Sequence, residues 1–412
     1  MVKTVLTRLF RQQVKYIFMR KLISLVAGLV LCSVCAFAGL APGATISLLT
    51  SEPCNNAVFT AWGHSAIRVC SPADGIDRVY NYGVFSFGDL SVFLVKFVKG
   101  ETDYRLGVTS FDNAYGEAAF EKNVNFYEQV IDLTDEEKDK VYEALKLNYK
   151  KENRYYRYNF FYDNCATRPR DIFEKQIDGS IVYPEVNNTM TYRDLIHEYL
   201  QKMPWFTFGI DICLGSETDA VVTDRNLQFL PNYLMEAYAK TGVQRGDSLR
   251  PLVLETKVLN ERRPVPEEKG FADYLTPMLV CWIFFVLIVA HTIYYSKTKK
   301  PDNILDAPLF FLYGLVGSLV FFLMFFSEHP CTYPNCNILW LNPLQLLAAA
   351  LILFRKQSKA AYYVVAAVGV MALAAILGWP LFTQKFHPAF LPLMLVLAVR
   401  CANFVLVRRK NL

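Results

Sequence analysis

Five apolar runs follow Tyr274, and they constrain the fold of this chain more than any other feature of its sequence. The runs cover residues 275–295, 307–327, 339–354, 361–382 and 387–407. A helix needs about 20 residues to cross the hydrocarbon core of a bilayer, and four of the five runs reach that length unaided. The third contains Asn342 followed by Pro343, so it needs either the approach from Ile338 or a partly re-entrant path. The sequence predicts an all-α domain of five transmembrane spans.

The loops between the runs alternate in charge. The first and third loops each carry three basic residues, residues 328–337 carry no Lys or Arg, the fourth loop carries only Lys385, and the chain ends with three basic residues at 408–410. Basic loops are typical of the cytoplasmic side. We therefore expect a multi-pass membrane protein with a cytoplasmic C-terminus and with its N-terminal domain on the opposite, outer side of the membrane. Arg400 lies inside the fifth run and should face protein, water or a lipid phosphate.

The N-terminus has the pattern of an export signal. Arg20 and Lys21 precede an apolar stretch, and residues 36–38 read Ala-Phe-Ala, a small-x-small cleavage pattern. Met19 is an alternative start, and an uncleaved amphipathic anchor is the alternative interpretation. The predicted division is a signal peptide over 1–38, an exported domain over 39–270 and a transmembrane domain over 271–412.

Charge is distributed unevenly along the chain. The net charge of +5 combines an acidic segment, residues 39–274 with 26 Lys and Arg against 35 Asp and Glu, with basic ends. The excess of basic over acidic residues therefore belongs to the signal and to the membrane domain. This pattern argues against a nucleic-acid partner and favours a bilayer.

The exported segment mixes strand and helix patterns, which predicts an α+β domain. Residues 64–70 and 78–84 are rich in Val, Ile and Tyr and flank a turn sequence at 71–75, so we expect a hairpin. A capping box at Thr134 predicts the start of a helix. Residues 192–202 and 231–240 are further helix candidates, and residues 262–269 are expected to link this domain to the membrane.

His64 opens the first strand of that hairpin directly after Gly63. If residues 71–74 form the loop, then Cys70 pairs with Gly75 and His64 falls opposite Asn81. A side-chain amide beside an imidazole can fix its tautomer, which is the orienting role that a general base needs. We therefore expect Asn81 to orient His64.

Cys165 lies in the segment YDNCATR, ahead of a helical pattern. A thiolate near a helix N-terminus is stabilised by the helix dipole and by backbone N–H groups, which can also hold an oxyanion. The alternatives are a buried structural thiol and half of a disulfide. If Asn164 caps the helix, Pro169 removes a backbone hydrogen bond, so the helix is either kinked or starts later.

A histidine on a strand that precedes a helix-borne cysteine is the order found in circularly permuted papain-like enzymes. Residues from Ser47 to about Glu174 resemble the periplasmic domain of the Lnb-type lipoprotein N-acyltransferases of Bacteroidota, distantly similar to NlpC/P60 and lecithin-retinol acyltransferase proteins. The matching segments are FTAWGHSAIR at 59–68, YNYGVF at 80–85, EQV at 128–130, ENRYYRY at 152–158 and YDNCATR at 162–168. Residues 328–343 resemble the membrane half of the same proteins.

This resemblance implies a cysteine-dependent acyltransferase with no cofactor and no metal. Cys165, deprotonated by His64, would take a fatty acyl chain from a phospholipid and pass it to the α-amine of a diacylglyceryl-Cys lipoprotein. The membrane supplies both partners. Five residues are assigned to substrate binding. Arg68, Arg154 and Arg168 are candidates for binding a lipid phosphate, and Tyr82 and Asn164 are the other two.

Two other functions remain open at this stage. An NlpC/P60-like cell-wall peptidase or amidase, or a lipid hydrolase, would use the same nucleophile and base without needing five spans. A non-catalytic membrane receptor would bury Cys165.

Two pairs of cysteines are candidates for disulfides in an oxidising compartment. Cys331 and Cys336 share one predicted periplasmic loop, and Cys54 with Cys70 form the other pair. Sequence alone does not fix the connectivity.

Overall fold

The computed structural model describes residues 16, 19–21, 39–54, 60–86, 88–266, 270–298, 300–354 and 359–408. The predicted signal peptide lies almost entirely outside the described residues, as do the basic residues 409 and 410, and both stay predictions.

The N-terminal domain contains ten strands and eight helices within these residues. The strands are β1 (Thr45–Ser51), β2 (His64–Ser71), β3 (Ile76–Val84), β4 (Asp103–Ser110), β5 (Phe126–Ile131), β6 (Tyr155–Arg157), β7 (Ser180–Val182), β8 (Gly242–Arg245), β9 (Ser248–Pro251) and β10 (Val253–Asn260). The helices are α1 (Leu90–Lys99), α2 (Phe111–Gly116), α3 (Asp135–Tyr149), α4 (Thr167–Gln176), α5 (Tyr192–Tyr199), α6 (Pro204–Cys213), α7 (Asp224–Leu227) and α8 (Pro231–Lys240).

Seven of the described strands form one antiparallel sheet in the order β10-β5-β1-β2-β3-β4-β6. Side chains alternate between the faces of a strand, so Leu48 of β1 packs with Val141 and Leu145 of α3 on one face. Leu49 packs with Phe126 on the other face. Because both faces are covered, the sheet is a rigid support for the residues at its edges. The α+β prediction is confirmed, whereas the permuted papain-like topology stays a prediction.

The β2–β3 hairpin exists, but its predicted register is wrong. A 3₁₀ turn, Pro72–Asp74, followed by Gly75 at φ 66° makes the connection, and Cys70 pairs with Asp77 instead of Gly75. The register is therefore shifted by two residues. Since side chains alternate with a period of two, this shift leaves Asn81 on the face that was predicted.

The predicted helix starts agree with the structure. Thr134 and Glu137 form the capping box of α3, with reciprocal hydrogen bonds of 3.2 and 2.8 Å. Helix α8 has the predicted bounds. Helix α5 ends at Tyr199 instead of residue 202, and a short turn connects it to α6, which begins at Pro204.

Five helical segments of the described chain are long and apolar enough to cross a membrane, as predicted. The helices are α9 (Pro277–Ser296), α10 (Asn303–Phe325), α11 (Leu344–Phe354), α12 (Lys359–Gly378) and α13 (Phe390–Arg408). The third span is built in two pieces, a 3₁₀ turn Cys336–Leu339 and then α11. Gln345 bridges the break, because its side chain bonds the carbonyl of Trp340 and the N–H of Asn342.

Arg400 is fully buried in the membrane domain and faces protein. It bonds Asp306, Asp302 and Thr292 at 2.8 to 3.0 Å. A charge inside a span is expensive unless it is paired. The prediction that Arg400 avoids lipid tails is therefore confirmed.

Helix α6 joins the two parts of the chain. Asn335 and Asn337 donate to carbonyls of Asp211, Ile212 and Cys213, and Gln384 donates to the carbonyl of Leu214 at 3.1 Å. Membrane loops thus bind the last turn of a helix of the N-terminal domain. The contact holds the face of that domain against the membrane spans.

Candidate active site

Cys165 lies in the turn that leads into helix α4. Asn164 caps this turn, because its Oδ1 accepts the N–H groups of Ala166 and Thr167 at 2.8 and 2.9 Å. The helix begins at Thr167, so the later start is the correct one of the two alternatives, and Pro169 falls in the first turn where its missing N–H costs no hydrogen bond. The same capping bonds occupy the N–H groups that we expected to hold an oxyanion. That expectation is wrong for Ala166 and Thr167.

His64 is directed into the site by the residue before it. Gly63 has φ 75°, and a Cβ at this position would lie 2.6 Å from the carbonyl oxygen of Ser51. Only glycine fits such a left-handed, tightly packed position. The chain therefore turns sharply just before β2, and His64 starts the strand at the end of the sheet where Cys165 lies.

His64 interacts with both Asn81 and Cys165. Its Nε2 lies 3.3 Å from Oδ1 of Asn81, and its ring also forms a hydrogen bond with the thiol. Burial lowers the pKa of His64, but the charge and the hydrogen bond of Cys165 outweigh this effect and raise the pKa above its ordinary value. The imidazole is thereby favoured in its protonated form.

The pKa of the Cys165 thiol is shifted in the opposite direction. Burial by itself raises the pKa of Cys165, yet the charge of His64 and hydrogen bonds from His64, the Ser65 N–H and Tyr158 lower it below the ordinary value. A buried thiolate–imidazolium pair is the state that these interactions favour. Such a thiolate is the reactive form of a cysteine.

Tyr158 is a site residue that the sequence analysis did not single out. Its ring stacks on Tyr104 with 4.4 Å between centroids, and its hydroxyl bonds Cys165. Burial raises the pKa of Tyr158 well above its ordinary value, and the negative charge of Cys165 adds to this. The hydroxyl therefore keeps its proton and donates to sulfur. The segment ENRYYRY, which carried part of the resemblance, ends at this residue.

The three predicted catalytic residues open onto one cavity of about 970 Å³. This is near the upper end of the range of roughly 300 to 1,000 Å³ that is typical of ligand pockets. Its wall extends from Cys165, His64 and Asn81 to Leu319 and Leu323 of span α10. The cavity therefore connects the candidate nucleophile to the membrane domain.

Two further free thiols, Cys54 and Cys213, line this cavity. Burial raises the pKa of Cys213 to about 11, and no charged partner counters this effect. Cys165 and Cys213 thus line the same cavity but differ in their surroundings. Cys213 is therefore a natural reference for the reactivity of Cys165.

The predicted phosphate-binding arginines are not brought to the site, since none of the three is among the described residues that line the cavity. Arg68 is held by Asp77 and Glu128 at 2.8 and 3.0 Å, and Arg168 by Asp163 at 2.6 Å. Arg154 lies over the rings of Tyr149 and Tyr155. The basic side chains that do line it are Arg105 and Lys122, and Lys122 pairs with Glu117.

Tyr82 and Asn164 line the cavity, but their polar groups have protein partners. The hydroxyl of Tyr82 accepts a hydrogen bond from Asn148 at 2.9 Å. The amide of Asn164 donates to the carbonyls of Phe160 and Phe229 at 2.7 and 2.8 Å. Both residues position the site instead of offering free groups to a substrate.

Neither predicted disulfide is present, because all four cysteines are free. Cys331 packs into a cluster of the N-terminal domain, with its sulfur 3.8 Å from the hydroxyl of Tyr162, whereas Cys336 packs against the core of the membrane domain. Cys70 pairs with Thr45 at the start of β1, while Cys54 follows the other end of that strand. The members of each pair are thus held apart by the fold.

In the part of the chain that the structure describes, no group of three or more His, Cys, Asp or Glu side chains is arranged so that it could hold a metal ion. The chemistry described above depends on a thiol, an imidazole, an amide and a phenol.

Comparison with known families gives two matches. Residues 41–199 match the family model of the Lnb N-terminal periplasmic domain, and residues 267–411 match that of the Lnb transmembrane domain. Together the matches cover most of the chain. No curated protein and no solved structure matches it.

Proposed function

Because the chain belongs to the Lnb family of lipoprotein N-acyltransferases, we propose that it transfers a fatty acyl chain from a phospholipid, through a thioester on Cys165, to the α-amine of a diacylglyceryl-Cys lipoprotein. The observation that carries this proposal is the cavity that joins the Cys165–His64 pair to span α10. An acyl donor in the membrane has an apolar path to sulfur through that cavity. A peptide of the cell wall has no need of such a path.

The first half-reaction forms the thioester. The thiolate of Cys165 attacks the ester carbonyl carbon, and the C–O bond of the ester breaks. Protonated His64 gives its proton to the departing lysophospholipid oxygen. Since Nε2 of His64 faces the amide of Asn81, we assign this proton transfer to Nδ1.

The second half-reaction forms the amide. The lipoprotein amine attacks the thioester carbon, neutral His64 accepts a proton from the attacking nitrogen, and the Cys165 thiolate leaves. The resting thiolate–imidazolium pair is thereby restored. Tyr158 donates to sulfur in that pair, and we assign to the same hydroxyl the stabilisation of the oxyanion that forms at each attack.

The proposal also includes the cellular location and the orientation of the enzyme. We place the catalytic domain in the periplasm and the C-terminus in the cytoplasm, in the inner membrane. Arg105, which lines the cavity, takes the place of the three predicted arginines as the group that holds the lipid phosphate, whereas Lys122 is paired with Glu117. The substrates then enter from the membrane leaflet next to the catalytic domain.

A covalent adduct tests this function. Purified protein supplied with phospholipid vesicles and no amine should accumulate an acyl group on Cys165 that hydroxylamine removes, detected by mass spectrometry. Cys213→Ala is the matched control, because this thiol lines the same cavity, and the variant should still form the adduct. Cys165→Ala should form none, and Cys165→Ser almost none.

The outcome in cells separates the alternatives. A strain whose only copy of this protein is the Cys165→Ala variant should make lipoproteins without the N-acyl chain. Triacylated lipoproteins in that strain, together with no adduct on the purified protein, would reject the acyltransferase and favour a hydrolase or a receptor.

A further inference from the structure

Helix α1 is apolar on its solvent-accessible surface. Seven of its ten residues are apolar, and none of them is buried. Leu90, Val92, Leu94 and Val95 are each more than half exposed. Contiguous apolar surface of this kind on a folded domain marks a site of interaction with a membrane or a partner.

The C-terminal end of α1 is tied to the membrane domain. The N–H of Glu328 donates to the carbonyl of Lys99 at 2.8 Å, and the hydroxyl of Ser327 donates to that of Val98 at 2.8 Å. The imidazole of His329 bonds the carbonyl of Phe97. These membrane-domain residues come just after span α10, whose last residue, Phe325, is exposed, as is Phe326 after it. Helix α1 therefore lies where the span leaves the bilayer.

A second element of the N-terminal domain lies at the same boundary. The indole N–H of Trp205 donates to the carbonyl of Leu275 at 2.7 Å, two residues before span α9 begins. Half-exposed tryptophan at the end of a span is typical of the membrane–water interface. Phe97 and Val98 of α1 and Trp205 of α6 all line the cavity that contains Cys165. The cavity is thus bordered by residues that contact the start of span α9 and the loop after span α10.

We propose that α1 is an interfacial helix that lies in the surface of the bilayer, with Leu90, Leu94 and Val95 in the acyl region. The lipid substrate then passes between α1 and span α10 into the cavity. The passage to Cys165 rests on the proposed function, whereas the position of α1 in the bilayer does not.

The charges of α1 also fit contact with a phospholipid bilayer. Lys96 is exposed and Lys99 is half-exposed, and the carboxylates near them, Asp103 and Glu101, lie 3.8 and 3.9 Å away. Exposed pairs at these distances contribute little, so both lysines can turn to lipid phosphates. Apolar residues with Lys on a flanking face are typical of interfacial helices.

Photocrosslinking tests the position of α1. The full-length protein in phospholipid membranes would carry p-benzoylphenylalanine in place of Leu94, or in place of Leu147 as the matched control. Leu147 is an equally exposed leucine on helix α3, at 52% against 51% for Leu94. We expect phospholipid adducts at position 94, at least about tenfold more than at position 147.

Other adducts would overturn the proposal. A protein-sized adduct at position 94, or lipid adducts of equal yield at both positions, would mean that α1 binds a partner or that labelling is indiscriminate. The experiment runs equally well on Cys165→Ala, so its result does not depend on acyl transfer.

A rate comparison tests the passage. Leu94→Asp should slow acylation of Cys165 by vesicle phospholipid on the order of tenfold, because a charge replaces a leucine that the bilayer would bury. Acylation by water-soluble p-nitrophenyl acetate should be unchanged, and Leu147→Asp should alter neither rate. Equal rates with vesicles for Leu94→Asp and wild type would reject the passage. Failure of wild type to be acylated by either donor would instead reject the proposed function.

Discussion

His64 and Asn81 meet at 3.3 Å although they are not paired across their hairpin. In the pairing of strands β2 and β3, Ile67 lies opposite Tyr80. Asn81 therefore lies diagonally from His64 on the same face of the sheet. A side-chain amide reaches an imidazole across that diagonal. The contact leaves the other side of the ring for Cys165, which arrives from a different part of the chain.

The first prediction concerns the pH dependence of the thiol. Interactions with His64 lower the pKa of Cys165, so its thiolate persists at pH values below those of an ordinary cysteine. In His64→Ala the charge and the hydrogen bond of His64, the two largest effects that oppose burial, are lost, and the pKa of Cys165 should rise. The alkylation rate of Cys165 by iodoacetamide, followed against pH, should therefore have its midpoint at higher pH in the variant. An unchanged midpoint would show that His64 does not stabilise the thiolate.

The second prediction concerns the amide that orients the base. Asn81→Ala should lower kcat for acyl transfer by tenfold to a thousandfold, with KM for the lipid donor nearly unchanged, because the imidazole loses its orientation but the cavity stays open. Steady-state kinetics with vesicle donors measure both constants. A rise in KM with constant kcat would assign Asn81 to substrate binding.

The third prediction concerns Tyr158. Tyr158→Phe keeps the stacking on Tyr104 but removes the hydroxyl that bonds Cys165. Loss of an oxyanion donor costs about a hundredfold or more in kcat, and the midpoint of Cys165 alkylation should also move to higher pH. Tyr104→Phe is the control and should change neither quantity. Equal losses in the two variants would indicate a packing role only.

The fourth prediction concerns topology. Five spans and an exported N-terminal domain put residue 412 in the cytoplasm, since each span reverses the side. A reporter that is active only in the periplasm should be silent when fused after Leu412 and active when fused after Asn260. Activity at the C-terminus would show that one span does not cross, and the two-piece third span would be the first to test.

Much of the site was predictable from local sequence. Gly63 before His64, the Asx-type cap at Asn164 and the basic loops of the membrane domain act over a few residues, and their physical effects do not depend on distant parts of the chain. The predictions of the hairpin, of helices α3 and α8 and of the five spans were accurate for this reason. The register error arose because a 3₁₀ turn and a simple loop have almost the same sequence signature.

The positions of the arginines, in contrast, could not be predicted from local sequence. Arg68 and Arg168 belong to segments of the resemblance, but Asp77 and Asp163 bind them away from the cavity, and Arg105 and Lys122 lie at its wall instead. The disulfide predictions were wrong for a similar reason, because Cys331 and Cys336 are close in sequence yet pack into different cores. Which charges and thiols face a cavity depends on contacts between distant segments.

The sequence by itself determined the membrane spans, the α+β character of the N-terminal domain and the candidate pair His64 and Cys165, since hydrophobic length, side-chain alternation and capping are local properties of a chain. Only the tertiary structure decided that Tyr158 donates to the thiol, that Cys213 shares its cavity and that α1 meets the end of span α10. Those relationships join residues whose separation in the chain runs from seven positions, for Tyr158 and Cys165, to 229, for Val98 and Ser327. They exist because the packing of the domain against the membrane helices encloses one continuous cavity, and no local pattern encodes that enclosure.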